Sequence, residues 1–188
     1  MLRILRKQLA DALQRVEDGR RVSDNGVHAA RKAIKRARAT LRLLRPALTA
    51  AVFKSTNAAL RDAARPLAQV RDAQALLDTM GSLRDYFADT ANRVAPQDLE
   101  RQLHAQKQER RREITRNRKL VDTLRRSLRK VAREVGRWSL DADDWTVLGP
   151  GMKRVYRSGL KALTRASAQR TDECLHEWRK HVKHLWHA

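Results

Sequence analysis

The chain has 188 residues and a formal net charge of +21, from 42 Lys and Arg against 21 Asp and Glu. Hydrophobic residues make up 41% of it and aromatic residues only 4%, with seven glycines and four prolines. This composition favours an all-helical protein. It excludes an intrinsically disordered chain, because the apolar residues are numerous enough to build a core. The single cysteine, Cys174, excludes an intrachain disulfide. The sequence contains no run of about 18 apolar residues, so no membrane span is predicted.

Apolar residues recur at helical spacing along most of the chain. The first predicted helix covers residues 2–18. A polar turn over 19–26 separates it from the second, which is expected from about Val27 to Leu48. Pro46 is expected to kink or end this second helix, because proline cannot donate the helical hydrogen bond.

Two further helices are predicted before residue 139. The third covers residues 52–91 and is expected to break or bend near Pro66. The fourth begins at Pro96, which suits the first turn of a helix, and reaches about Trp138. Its many charges are typical of a solvated outer face.

The helical pattern is interrupted after the fourth helix and then resumes. A helix is predicted from Met152 to Ala168, followed by a cap at Thr171 or Asp172 and a last helix to the C-terminus. The chain is thus predicted to have three parts: residues 1–138 as a four-helix bundle, 139–151 as a linker, and 152–188 as the start of a second, incomplete bundle.

One motif occurs twice, in the second and in the last predicted helix. Residues 28–35 and 176–183 share the pattern His-x-x-Arg-Lys-x-x-Lys. On a helix this spacing places a histidine and three cations on one face, with apolar residues on the opposite face. The preceding segments 1–6 and 152–157 also match. We therefore predict an all-α fold of helical bundles with an internal pseudo-twofold repeat.

Such a basic face suits a linear polyanion, because its cations advance by about 5.4 Å per helical turn. The large net charge also predicts a polyanionic partner. The histidine adds a hydrogen-bond donor, and we expect crowded cations to lower its pKa and bound phosphate to raise it. The candidate binding residues of the two faces are His28, Arg31, Lys32, Lys35, Arg38 and Arg42 in the first copy, and His176, Arg179, Lys180 and Lys183 in the second, with His187 as a weaker candidate.

The two motifs, together with residues 65–72 between them, resemble the CHAD family, the conserved histidine α-helical domain. The resemblance spans nearly the whole chain. It implies two four-helix bundles about a pseudo-twofold axis, binding of inorganic polyphosphate in a basic groove, and a place near polyphosphate granules. The family normally has two more helices after the position of Ala188, so the resemblance leaves three interpretations: a fragment, a short variant or a swapped assembly. It also implies a role for Asp72 in positioning an arginine. The resemblance adds Arg157 to the candidate binding residues, and Arg3, Arg6, Tyr156 and Arg71 as weaker candidates.

The function predicted from the sequence is non-enzymatic binding of polyphosphate, with no cofactor, in a cytoplasmic protein without a secretory signal. Nucleic-acid binding is the alternative that the charge supports, although no recognised DNA- or RNA-reading motif is evident. An enzyme is disfavoured because the motif faces are nearly free of carboxylates that would hold Mg²⁺. His181, His184 and His187 lack a carboxylate partner, so no metal site is predicted. Apolar surface left uncovered in the second half predicts a homodimer or a swapped assembly.

Overall fold

The computed structural model describes residues 1–17, 24–87, 97–116, 118–140 and 145–187. Within these ranges the protein is helical and contains no β-strand, so the all-α prediction is confirmed. None of the described helices combines the length and the apolar character needed to cross a membrane. The α-helices are α1 (Leu2–Glu17), α2 (Asp24–Leu43), α3 (Ala50–Tyr86), α4 (Gln97–Arg116), α5 (Arg118–Gly136), α6 (Trp145–Gln169) and α7 (Asp172–Trp186), with a 3-10 turn at Arg45–Ala47.

One apolar core joins α1, α2, α3 and α5 in a four-helix bundle. Helix α1 packs along α2 and α5, and α3 packs along the same two helices from the other side. Each helix contributes one apolar stripe, and the side chains of Leu5, Ile34, Leu60 and Leu128 are fully buried in it. Helices α2 and α5 therefore occupy diagonal corners of the bundle, and their outer faces point in opposite directions.

Helix α2 ends earlier than the expected Leu48. It stops at Leu43, and Arg45–Ala47 form the 3-10 turn. Pro46 has no N–H and disfavours the α conformation of the residue before it, so the chain leaves the helix there. The hydroxyl of Thr49 then caps the first turn of α3.

The sequence predicted a break or a bend near Pro66, and the structure excludes the break, since α3 runs continuously through this residue. Ala63 and Leu67 are buried in the core on either side of this proline, and their packing keeps the chain helical across the missing N–H. Beyond Leu67 the described side chains of α3 are partly or fully exposed, and this second half pairs with α4. The two helices form an arm that extends away from the core.

The single predicted fourth helix is described as two helices, α4 and α5, with residue 117 outside the described residues. Their environments differ. Val121, Leu128 and Val135 on α5 are buried in the core, whereas no described side chain of α4 is fully buried. Helix α4 therefore has the solvated character expected from its sequence, and only α5 closes the bundle.

Helix α6 begins inside the segment that the sequence predicts to be a linker. It starts at Trp145 and contains Pro150, while residues 141–144 lie outside the described residues. The first turns of α6 pack on α2 and on the 3-10 turn. Gly151 makes this approach possible, since a Cβ at this position would lie only 2.7 Å from the carbonyl carbon of Leu43.

Helix α7 folds back along α6. Its first turn is capped as predicted, because the Thr171 hydroxyl accepts a hydrogen bond of 3.3 Å from the amide nitrogen of Cys174. The Cys174 side chain is buried, and its thiol donates to Oε1 of Gln169 at 2.9 Å. These contacts fix the turn between the two helices.

Gly151→Ala is expected to lower the melting temperature, because the added methyl group collides with the backbone of Leu43. Overpacking of this kind costs about 1–3 kcal/mol, which exceeds the roughly 1 kcal/mol that alanine gains over glycine within a helix. Gly159→Ala is the matched control on α6, since its Cβ would meet the Cβ of His181 at 3.9 Å, an ordinary contact. Circular dichroism melts compare the two variants, and equal stability would contradict the close packing of α6 on α2.

Candidate functional site

Helix α2 carries its first motif on the side away from the core. His28, Lys32 and Lys35 are exposed there, whereas Ile34 and Leu41 on the other side are fully buried. The helix holds six Lys and Arg residues against one Asp, a net of five positive charges. Its amphipathic pattern therefore produces the predicted basic surface, which we call the motif face of α2.

The arginine of the first motif is held by α3. Nη1 of Arg31 donates to the carbonyl oxygen of Ala68 at 3.1 Å and to the carboxylate of Asp72 at 3.2 Å. The Arg31 side chain is only 19% exposed, whereas that of Asp72 is 68% exposed. Asp72 thus positions an arginine, as the resemblance implies. The side chain of Arg71 lies outside the part of the chain that the structure describes.

Two arginines further along α2 are half-buried. Nε of Arg38 donates to Oδ1 of Asn57 at 3.0 Å, and burial followed by repulsion from Arg61 lowers the pKa of Arg38. Burial and then repulsion from Arg38 lower the pKa of Arg42 to about 10. Arg42 stays protonated at neutral pH, at a free-energy cost that a nearby anion would remove.

The C-terminal part of α7 lies within the electrostatic field of the motif face of α2. Burial lowers the pKa of His184 to about 4, and repulsion from Arg42 is the next cause, followed by that from His181, Arg38 and Lys180. Screening in salt solution limits strong interactions between charges to about 8 Å. His184 therefore lies close to the C-terminal half of α2.

His187 has the same kind of environment one turn further along α7. Its pKa is lowered first by burial and then by repulsion from Lys35, Arg36, Lys183 and Lys32. His184 thus faces the C-terminal end of α2 and His187 faces its middle, so the two motif helices run antiparallel. The C-terminal end of the second motif helix thus lies beside the motif face of the first, and we call the region between these two helices the groove.

The residues of the second motif are exposed on α7. His176, Arg179, Lys180 and Lys183 all reach solvent, and Nζ of Lys180 forms an ion pair of 2.6 Å with Glu177. Helix α7 contains three Lys and Arg residues and three Asp and Glu residues, so its formal charge is zero. Helix α7 therefore presents hydrogen-bond donors, which act only at short range, and adds no net charge to the surface.

Helix α6 adds a row of cations that the motif does not include. Arg157, Lys161 and Arg165 are exposed and spaced four residues apart, which aligns them along one side of the helix. Lys161 and Arg165 line an open groove of about 390 Å³ between α6 and α7, together with His181. The sequence prediction included Arg157 and missed the other two, although their regular spacing was visible. It also missed His184, whose charged neighbours belong to α2.

Three of the weaker candidates lie on α1 and α6. The guanidinium of Arg6 donates to the carbonyl oxygens of Gly136 at 3.1 Å and Trp138 at 2.8 Å, at the end of α5, where a cation interacts favourably with the helix dipole. Arg6 therefore stabilises the bundle on its α1–α5 side. Tyr156 lines an apolar groove on the α6–α7 hairpin, whereas Arg3 is exposed on α1.

A metal site is not evident in the described residues, where no group of three His, Cys, Asp or Glu side chains is arranged to hold an ion. The rings of His181 and His184 are 5.8 Å apart. The charged neighbours that shift the pKa of His184 are cations, which would also repel a metal ion.

The His184 ring is expected to be neutral at pH 7. Because its folded-state pKa of about 4 lies below the ordinary value of 6.5, the unfolded chain takes up a proton between pH 6.5 and 4 that the folded chain does not bind. The free energy of unfolding should therefore fall as the pH falls through this range. An NMR titration of the histidine rings measures the pKa, and His184→Gln should flatten the pH dependence of stability. A His184 that titrates near pH 6.5 would contradict its position beside Arg42.

Comparisons with known proteins place the chain in a family. Neither the curated proteins nor the solved structures contained a match. The family model described as the CHAD domain matches residues 3–188. This range includes both copies of the motif and the α6 cation row, and it covers almost the entire chain. The protein therefore belongs to the CHAD domain family, which is associated with inorganic polyphosphate.

Proposed function

We propose that the protein binds inorganic polyphosphate, without catalysing a reaction on it, in the groove between α2 and α7. The observation that carries the proposal is the position of His184 and His187 among the cations of α2. The histidines are in their neutral form at pH 7, so the like charges held together here are the cations of α2, and a polyanion beside them would remove the free-energy cost of their repulsion. Membership of the CHAD family supports phosphate as the charged group of the ligand.

A linear ligand fits the groove better than a single small ion. From His28 to Arg42 the motif face extends about 21 Å along α2, with a cation or histidine on each turn. Each added phosphate would reach another turn, so affinity is expected to rise with chain length until the groove is filled. Binding at this site would also place the protein at polyphosphate granules in the cytoplasm.

The titratable groups of the groove would assist binding. The negative charge of the ligand would raise the pKa of His184 and His187, so binding takes up protons and strengthens as the pH falls below 7. Two acids beside the motif residues, Asp72 and Glu177, already pair with Arg31 and Lys180. They are therefore poor ligands for a catalytic Mg²⁺, which supports a binding function.

Lys35→Glu combined with Lys183→Glu is expected to weaken polyphosphate binding at least tenfold and to reduce its salt dependence. The logarithm of the binding constant falls linearly with the logarithm of the salt concentration, and each lost phosphate contact makes this slope less steep by roughly 0.7. Titration calorimetry at two salt concentrations measures both quantities. Arg112→Glu on α4, an exposed residue remote from the groove, is the matched control and should change affinity much less.

Two results would contradict this site. One is equal binding by the double variant and the Arg112→Glu control. The other is equal affinity for chains of a few phosphates and for very long chains, because a groove that spans several helical turns requires a ligand of similar length. Duplex DNA that displaced polyphosphate at equal phosphate concentration would favour nucleic acid as the ligand.

We further propose that the apolar side of the α6–α7 hairpin joins two copies of the chain. Tyr156 is 53% exposed, Leu160 45%, Val182 47% and Trp186 79%, and contiguous apolar surface of this kind is typical of interfaces. No Lys or Arg side chain lines the groove between Leu160 and Val182. Two highly charged molecules can therefore meet there with little local repulsion, by pairing the same surface about a twofold axis.

Leu160→Glu combined with Val182→Glu is expected to convert a dimer into a monomer, because the substitutions bury carboxylates in an apolar contact. Light scattering over a concentration series measures the molecular mass. Leu76→Glu on α3, which replaces a leucine that is 51% exposed outside the hairpin, is the control and should leave the mass unchanged. A wild-type protein that remains monomeric at every concentration would exclude this association.

A further inference from the structure

Helix α5 has as large a net charge as the motif helix α2, yet it carries no copy of the motif. It contains seven Lys and Arg residues and two acids, a net of five positive charges over 19 residues. Helix α4 is of similar length and contains six Lys and Arg residues against four acids, the balance typical of a solvated face. The charge of α5 is therefore not explained by solvation alone.

The excess cations of α5 form one stripe. The side chains of Arg126, Arg129, Lys130 and Arg133 are exposed, as is that of Arg137 directly after the helix, and the helical spacing places these cations opposite the buried stripe of α5. We call these five residues the α5 basic surface. From Arg126 to Arg137 it extends about 16 Å along the helix axis, which is long enough to contact several consecutive phosphates.

The local contacts leave this surface positive. Asp122, the acid beside it, is held by Nη1 of Arg125 at 3.4 Å, and Arg125 also donates to the carbonyl oxygen of Val16 at 3.0 Å. Within the described residues, no ion pair engages Lys130 or Arg133. The charges of Lys130 and Arg133 are thus available to an external anion.

The α5 basic surface lies on the opposite side of the bundle from the motif face of α2. Both helices pack against α1 and α3 from diagonal corners, and both direct their cations away from the core. From the typical diameter of a helix and the typical distance between packed helices, the two outer faces are roughly 20 Å apart. This separation exceeds the screening length of about 8 Å at physiological salt, so the two surfaces can bind anions independently.

We propose that the α5 basic surface is a second polyphosphate-binding surface, so that one molecule holds two strands, or two distant segments of one strand, on opposite sides of its bundle. The identity of the ligand rests on the proposed function. The consequence is cross-linking. A protein with two separate binding faces bridges long polyphosphate chains into a condensed network, whereas a protein with one face only coats them.

The test uses the Lys130→Gln, Arg133→Gln and Arg137→Gln triple variant of the full chain. Glutamine removes the charge and retains helix propensity at exposed positions, and circular dichroism verifies folding. The matched control is Arg84→Gln, Arg101→Gln and Arg112→Gln, which makes the same change in net charge on the α3–α4 arm. Calorimetry with polyphosphate just long enough to cover one surface gives stoichiometry, and turbidity with long polyphosphate reports bridging.

We expect the wild type and the control to bind two short chains per molecule and the α5 variant to bind one. The affinity of the remaining site should change less than about twofold, whereas turbidity should fall by about tenfold at equal salt. An α5 variant that binds two short chains and condenses long chains like the wild type would overturn the inference.

The Lys35→Glu and Lys183→Glu variant separates this inference from the proposed function. If the inference is correct, that variant still binds one short chain, on α5. If it binds no chain, the α5 basic surface does not bind on its own and the inference fails. If it binds two chains while the α5 variant binds one, the proposed binding site in the groove is contradicted and the inferred binding surface on α5 is supported.

Discussion

Burial of the apolar side of α2 is the interaction on which the rest of the structure depends. The rotation that directs Ile34 and Leu41 into the bundle also turns the motif outward and brings Arg31 against the carbonyl oxygen of Ala68. At its C-terminal end the same helix receives α6 through the close approach of Gly151. A change in the rotation of α2 would therefore disturb the core, the groove and the attachment of the second half together.

The apolar contacts hold together a set of charges that repel one another. Burial and neighbouring cations lower the pKa of Arg42 and of His184, so keeping these groups protonated costs free energy. The large core of α1, α2, α3 and α5 offsets this cost. Under the proposed function, a bound polyanion would offset it further.

The sequence predicted the fold class and the faces of the motif helices, because a helical period is a local property that a single segment reveals. It placed the end of α2 too late, although Pro46 is a local signal for that end. It treated the beginning of α6 as a linker, because the contact of Gly151 with Leu43 joins residues distant in the chain. For the same reason His184 was not identified as part of the groove. Its environment comes from Arg42 and Arg38, and no pattern within α7 reveals neighbours on another helix.

Under the proposed function, the unequal charge of the two motif helices would give them different roles in the association and dissociation of the ligand. Helix α2 carries five net positive charges, and such a field accelerates the diffusional approach of an anion from beyond contact distance. Helix α7 is neutral overall, since Lys180 and its neighbours are balanced by acids such as Glu177. Its donors act only after contact and so govern residence time. We therefore expect α2 to determine how fast a ligand arrives and α7 to determine how long it stays.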